Sequence, residues 1–354
     1  MTRAAQSPVQ CKEKTLSAVA EGRVSRKQNP STLVDGICQR SSAMKASVFA
    51  ALIMGAFLCA SALTAHAAPP FPGPLHMYKL KDVMEVEGRQ GVACDGQFIY
   101  VSDSKKLFKY DMKGKLVAKN EKPFEGYTIP SNHIGDIDVY NGELFLGAEN
   151  FVDGVGKDIQ IAIHDAETLK FKRTFKFEPK SGQEEVSGIT VDPVKKTVWM
   201  CSWVGEESGR YLYEYSLVSG QYLRKVHLQP VPQWVQGVFY WKGSLYMTAD
   251  DGTADDNEPD AIYRADVTSA TYANVVLEKK LDEAIKQGEI EGLCVDPSTG
   301  DLLVLINRGA HIVLGMTKGF YPGYSREIHE IYRYSMRPLM KDPFGMHPKG
   351  HAGK

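Results

Sequence analysis

One glycine-led motif recurs five times along this 354-residue chain. Each copy opens on a glycine that starts a short apolar run, turns at a Gly or Pro, and continues into a second apolar run closed by small or acidic residues. The copies begin at Gly91, Gly135, Gly188, Gly237 and Gly292, spaced 44, 53, 49 and 55 residues apart. A recurring period of this length marks a repeat architecture, in which one unit cannot bury its own apolar faces and must pack on the next.

Two further alternating runs follow the motif in each of the first four units. After Asp103 they are Lys106–Met112 and Lys115–Ala118; after Asn150, Ile159–His164 and Lys172–Phe177. The third unit adds Tyr211–Leu217 and Tyr222–Leu228, and the fourth adds Ala261–Asp266 and Asn274–Glu278. Alternation of apolar and polar residues predicts half-buried antiparallel strands, and Asp95-Gly96, Asn141-Gly142 and Lys113-Gly114 predict tight hairpins. Four strands per unit at a period near fifty predict an all-β fold, a β-propeller of five blades. The fifth unit has a third strand at Glu327–Ser335 and lacks a fourth. His76–Val83 precedes the first motif without a partner, so the last blade is expected to close with this N-terminal strand, which removes the open sheet edges. The alternative is six blades, with the extra one inside 252–290, where Leu281–Lys286 is the one helix-like run.

The remaining segments set the boundaries. Residues 44–67 combine Met44-Lys45, an apolar run and Ala65-His66-Ala67, the pattern of a secretory signal. Residues 1–43 are polar and aperiodic and read as a disordered or mis-assigned upstream extension. The propeller is expected over 74–336, followed by a Pro- and Gly-rich disordered tail at 337–354. These features predict an exported product, periplasmic or secreted, beginning near Ala68, with no stable membrane span after cleavage. With 42 basic and 43 acidic residues the formal net charge is −1, which gives no footprint for nucleic acid. Export would leave Cys94, Cys201 and Cys294. Three thiols, with Cys94 and Cys294 expected on opposite faces, predict buried thiols instead of a disulfide framework.

In a propeller the innermost strands surround one axis, so residues beside the leading glycines converge at one mouth. These are Arg89 and Gln90, Asn132 and His133, Glu185 and Ser187, Trp234 and Gln236, and Glu289 and Glu291. Arg89, Gln90, Asn132, Trp234 and Gln236 are the candidate ligand-binding residues. His133 is the candidate general base, oriented by Glu291 or Asp136. The second strands end on Asp103, Asn150, Ser202, Asp250 and Asn307, hard oxygen donors suited to calcium. Asp136 and Asp138, two apart on one strand, share a face, and a bound cation would offset their mutual desolvation. Asp136, Asp138, Asn150, Asp250 and Asn307 are thus the candidate metal set. The acidic run Asp250–Asp260 fails the EF-hand spacing. Gly-x-Ser-x-Gly, HExxH and CxxC are all absent.

Two family resemblances attach to these residues. Ile134-Gly-Asp-Ile-Asp-Val-Tyr-Asn-Gly-Glu-Leu-Phe-Leu146 with Asp165–Lys170 resembles olfactomedin blades, which implies five blades and a calcium held in the channel by Asp136 or Asp138. Glu291-Gly-Leu-Cys-Val-Asp-Pro297 resembles the senescence-marker protein/gluconolactonase and paraoxonase group, six-bladed enzymes. That likeness implies a catalytic calcium on Glu291, Asn150, Asp250 and Asn307.

The sequence therefore predicts an exported propeller that binds a small molecule or a protein at its channel mouth, with calcium. The alternative is a metal-dependent hydrolase or lactonase using the same ion through His133 and Glu291, and a protein-interaction scaffold is third.

Overall fold

The five motif glycines meet at one axis. In the computed structural model, a side chain at Gly91 would strike the Asp136 backbone, one at Gly135 would strike Ser187, and one at Gly188 would strike Gly237 and Val238. Gly237 and Gly292 would collide in the same way, and Gly292 lies against Gly91. Glycine is required here because the inner strands approach backbone to backbone.

The structure describes residues 73–339 apart from 153–154, 177, 204–206 and 314. The signal segment, the upstream extension and the tail beyond Leu339 lie outside the described residues. An N-terminal strand β1 (His76–Glu85) comes first. The first four-stranded antiparallel group is β2 (Gly91–Cys94), β3 (Phe98–Asp103), β4 (Lys106–Asp111) and β5 (Leu116–Asn120). The second is β6 (His133–Tyr140), β7 (Glu143–Val152), β8 (Val155–Asp165) and β9 (Phe171–Lys176). Next come β10 (Gly188–Asp192), β11 (Thr197–Cys201), β12 (Tyr211–Ser216) and β13 (Tyr222–Gln229), then β14 (Val235–Trp241), β15 (Ser244–Ala249), β16 (Ala261–Asp266) and β17 (Tyr272–Lys280). Outer strands β13 and β17 pair in parallel over three residues, which fuses these two groups into an eight-stranded sheet.

The last group holds β18 (Gln287–Val295), β19 (Leu302–Arg308) and β22 (Ile328–Pro338), with a separate hairpin β20 (Ala310–Val313) and β21 (Met316–Phe320) inserted between the latter two. Its fourth strand is β1, which pairs antiparallel with β22 from His76–Pro338 to Glu85–Glu330. Strand β22 thus extends two residues into the segment expected to be tail. The inner strands β2, β6, β10, β14 and β18 each pack on the next, and β18 packs back on β2. The fold is of the β-propeller type.

The core lies between groups. One apolar cluster joins Tyr100 and Leu107 to Ile134, Leu144 and Leu146, and another joins Val92, Ile99 and Val101 to Cys294, Leu303, Leu305 and Ile331. The second of these seals the ring at its ends. Cys94 and Cys294 share that cluster as buried free thiols, so the expectation of opposite faces is corrected while the absence of a bridge stands. The hairpin at Asn141-Gly142 has positive φ at both residues, the geometry a two-residue turn requires. Leu281–Lys286 is not a helix. Six residues are too few to sustain one, and Leu281 and Ala284 are instead drawn into the core.

Candidate functional site

Arg89, Gln90, His133, Gln236, Glu289 and Glu291, beside the motif glycines, form one hydrogen-bonded circuit with Glu149 and Asn307 at the ends of second strands. His133 opens β6, and antiparallel pairing sets it directly across from Glu149 on β7. Its Nδ1 lies 3.1 Å from Glu149 Oε1 and its Nε2 lies 2.7 Å from Gln90 Oε1. The Gln90 amide in turn donates to Glu291 Oε1 at 3.4 Å, and Asn307 Nδ2 donates to the same oxygen at 2.8 Å and to the Arg89 carbonyl at 3.1 Å. Arg89 Nη2 donates to Glu289 Oε2 at 2.7 Å and lies 3.4 Å from Glu327 Oε1. Gln236 donates to Glu289 Oε1 at 3.3 Å.

The protonation states follow from the partners. Gln90 spends its amide hydrogens on Glu291, so its oxygen accepts and His133 Nε2 carries the ring hydrogen. Burial lowers His133 to about 4, with Arg89 adding to the effect, and burial raises Glu149 to about 8. A neutral imidazole then accepts at Nδ1 from a protonated Glu149. Burial also pushes Glu291 well above the carboxylate range, with Glu289 adding to it, and does the same to Asp250 with help from Asp260 and Glu289.

The candidate residues divide by what they touch. Arg89, Gln90, His133, Gln236, Glu291 and Asn307 come together. Asn132 does not join them: its amide clamps Phe151, donating to the carbonyl at 2.9 Å and accepting from the N–H at 2.7 Å. The expected partners of His133, Glu291 and Asp136, are replaced by Glu149 and Gln90, because cross-strand register places Glu149 opposite it. Both ring nitrogens are engaged within the protein, so His133 presents no nitrogen to a substrate.

Asp136 and Asp138 are both buried but make no common site. Asp136 sits at the axis against Gly237 and Gly292, its Oδ1 accepting from Ile137 N at 2.8 Å and Val92 N at 3.2 Å. Asp138 spends its oxygens on Val139 N, Val191 N and the Thr190 hydroxyl. Asn150 pairs with Lys157 in β8, and no hydrogen bond joins it to the circuit. Asp250 donates its N–H to the Trp234 carbonyl at 3.0 Å. Among the described residues no group of three or more His, Cys, Asp or Glu is arranged to hold a metal ion.

One feature escaped the sequence reading. Trp203, one residue past the buried Ser202, tilts against Trp234 with ring centroids 5.3 Å apart. Trp234 is 44% exposed and has φ of +54°, a conformation bulky residues avoid. The backbone N–H of Trp203 donates to Glu185 Oε2 at 2.6 Å. A tryptophan ending a second strand, where the other units carry polar residues, was the available signal.

No family model matches the chain, and no curated protein matches it. Among solved structures it is similar to hydrazine synthase of Kuenenia stuttgartiensis, at 12% identity over 78% of this chain and 69% of that one, with a TM-score of 0.39. It is also similar to the PQQ-bound aldose sugar dehydrogenase of Streptomyces coelicolor, at 11% identity over 74% of this chain and 100% of that one, with a TM-score of 0.42. A nidogen/laminin complex is similar at 13% identity over 54% of this chain and 68% of that one, with a TM-score of 0.35.

Proposed function

We propose that this chain is an exported five-bladed β-propeller that binds a ligand at the mouth formed by Arg89, Gln90, Trp234, Gln236, Glu289, Glu291 and Asn307. The blade count is supported by the closed succession of inner strands and by β1 completing the last sheet. The observation that carries the binding reading is the polar circuit itself. Buried carboxyls and amides cost stability relative to apolar packing, so a fold that needed only to close its ring would fill this end with apolar side chains. The exposed Trp234 in a strained backbone conformation is a second such expense at the same place. Ligand screening by emission of the Trp203–Trp234 pair tests the reading. A compound that shifts emission in the wild type and fails to stabilise Trp234→Ala supports it.

The second reading is a calcium-dependent hydrolase or lactonase. It is favoured by Asn307, whose Oδ1 is buried without a hydrogen-bond partner beside Glu291. Lactone turnover that needs calcium and disappears in Glu291→Gln supports the enzyme. Calcium that raises the melting temperature without turnover supports a binding module that uses the ion structurally.

A further inference from the structure

We propose, on the reading that the mouth binds a ligand, that the ligand carries a primary ammonium group, seated on the Trp234 face with its N–H groups turned toward the carboxyl-rich floor. Three independent observations converge. First, the acids outnumber the bases. Burial holds Glu149, Glu291 and Asp250 protonated, which leaves Glu185, Glu289 and Glu327 as the carboxylates at this end against Arg89, the cation hydrogen-bonded into the circuit among the described residues. An added positive charge meets a field already disposed to receive it.

Second, the unsatisfied oxygens are acceptors. Asn307 is fully buried; its Nδ2 is spent on Glu291 and the Arg89 carbonyl, and its Oδ1 has no hydrogen-bond partner. Asp260, which adjoins Asp250, accepts from Gly252 N through Oδ1 and likewise leaves a buried Oδ2 unpartnered. An orphaned buried acceptor is expensive, and a hydrogen-bond donor or a cation relieves it. A carboxylate or phosphate ligand could meet the unpartnered Arg89 Nε and Trp203 Nε1 but would leave the Asn307 and Asp260 oxygens without a donor. A neutral ligand would bring donors but no charge.

Third, the mouth offers an aromatic face. Trp234 is 44% exposed and its ring tilts against Trp203, and its carbonyl accepts the backbone N–H of Asp250, which ties the platform to the segment that carries Asp250. Indole is the most favourable aromatic face for a cation, and the ammonium stem packs on the same ring. The charge, the orphaned acceptors and the ring face select one chemistry.

Three isosteric probes decide it: n-butylammonium, n-butanol and butyrate, added separately to the purified protein at equal concentration and low salt, with tryptophan emission and melting temperature as readouts. The expected result is a saturable emission shift and a higher melting temperature with n-butylammonium alone. That effect weakens as salt is raised. Trp234→Ala is expected to weaken n-butylammonium binding roughly 3- to 30-fold by melting shift, the range of a cation over an indole. Asn307→Ala, which removes one orphaned acceptor, is expected to weaken it as well. Butanol or butyrate acting as strongly as the ammonium, with loss in Trp234→Ala, overturns the cation and leaves the mouth a binding site. No response to any of the three overturns both.

Discussion

The carboxyl of Asp136 occupies the space that a side chain at Gly292 would need, and Gly91 closes the same space from the other side. This relationship spans two units far apart in sequence and fixes the bore of the ring. Gly292→Ala is therefore expected to destabilise the fold by about 1–3 kcal/mol through overpacking. Replacing Asp136 with Ala in the same chain removes one of the two obstacles and leaves the Gly91 backbone. Denaturant unfolding of the single and double variants checks this. Losses that simply add between Gly292→Ala, Asp136→Ala and the double variant would show that the two residues do not compete for this space.

The Glu149–His133 pair gives a pH prediction. Glu149 is raised from 4.5 to about 8 by burial, so between those values the folded state holds a proton that the unfolded state has released. Stability contributed by the protonated form is complete below pH 4.5 and falls as pH rises through 8. Glutamine reproduces the protonated carboxyl: its amide donates to His133 Nδ1 and its oxygen accepts from Val186 N. Glu149→Gln is expected to flatten this part of the pH profile and to match or exceed the wild type above pH 8. Urea midpoints between pH 5 and 9 measure it. A variant that loses stability uniformly across this range would mean that the pair is an ion pair instead.

Closure of the ring depends on a carboxylate far from the mouth. Glu278 on β17, whose side chain is fully buried, accepts from the backbone N–H of Leu75 and His76, from His76 Nδ1, from the Tyr78 hydroxyl and from Arg264. It anchors the start of the closing strand to the neighbouring sheet. Removing one partner of a buried ion pair costs about 3–5 kcal/mol, so Glu278→Ala is expected to lose that much and Glu278→Gln less, since the amide retains one acceptor. Limited proteolysis is expected to cut near residue 75 first in the alanine variant. Unchanged proteolysis and melting would show that strand pairing alone holds β1.

Particular residues show why part of this was legible in the chain. The motif glycines announce the axis because no other residue fits there, a constraint written into each copy. The closing strand was legible because His76–Val83 alternates and had no other partner. The hairpin of β20 and β21 was not, because it repeats nothing and buries little of itself. At the mouth the sequence placed Arg89, Gln90, His133, Gln236, Glu291 and Asn307 beside one another but did not show their bonds. Pairing His133 with Glu149 needs the register of β6 on β7, and a bulge between Ile134 and Ile137 shifts that register within the strand. The clamp role of Asn132 is likewise a matter of which backbone lies opposite. The Trp203–Trp234 contact joins neighbouring units at positions that no repeat alignment relates.

Trp234 offers a separation of stability from binding. Its φ of +54° places a bulky residue in the left-handed region, which costs about 1–2 kcal/mol that glycine does not incur. The indole repays part of this through Trp203, although its exposed face gains nothing from burial in the unliganded protein. Trp234→Gly is thus expected to be more stable than Trp234→Ala, and close to or above the wild type, while losing ligand binding as fully as the alanine variant. Melting temperatures of the three proteins, each with and without n-butylammonium, provide the comparison. If glycine were no more stable than alanine here, the strained backbone would not be what this position costs the fold, and the case for a residue retained for binding would lose one of its supports.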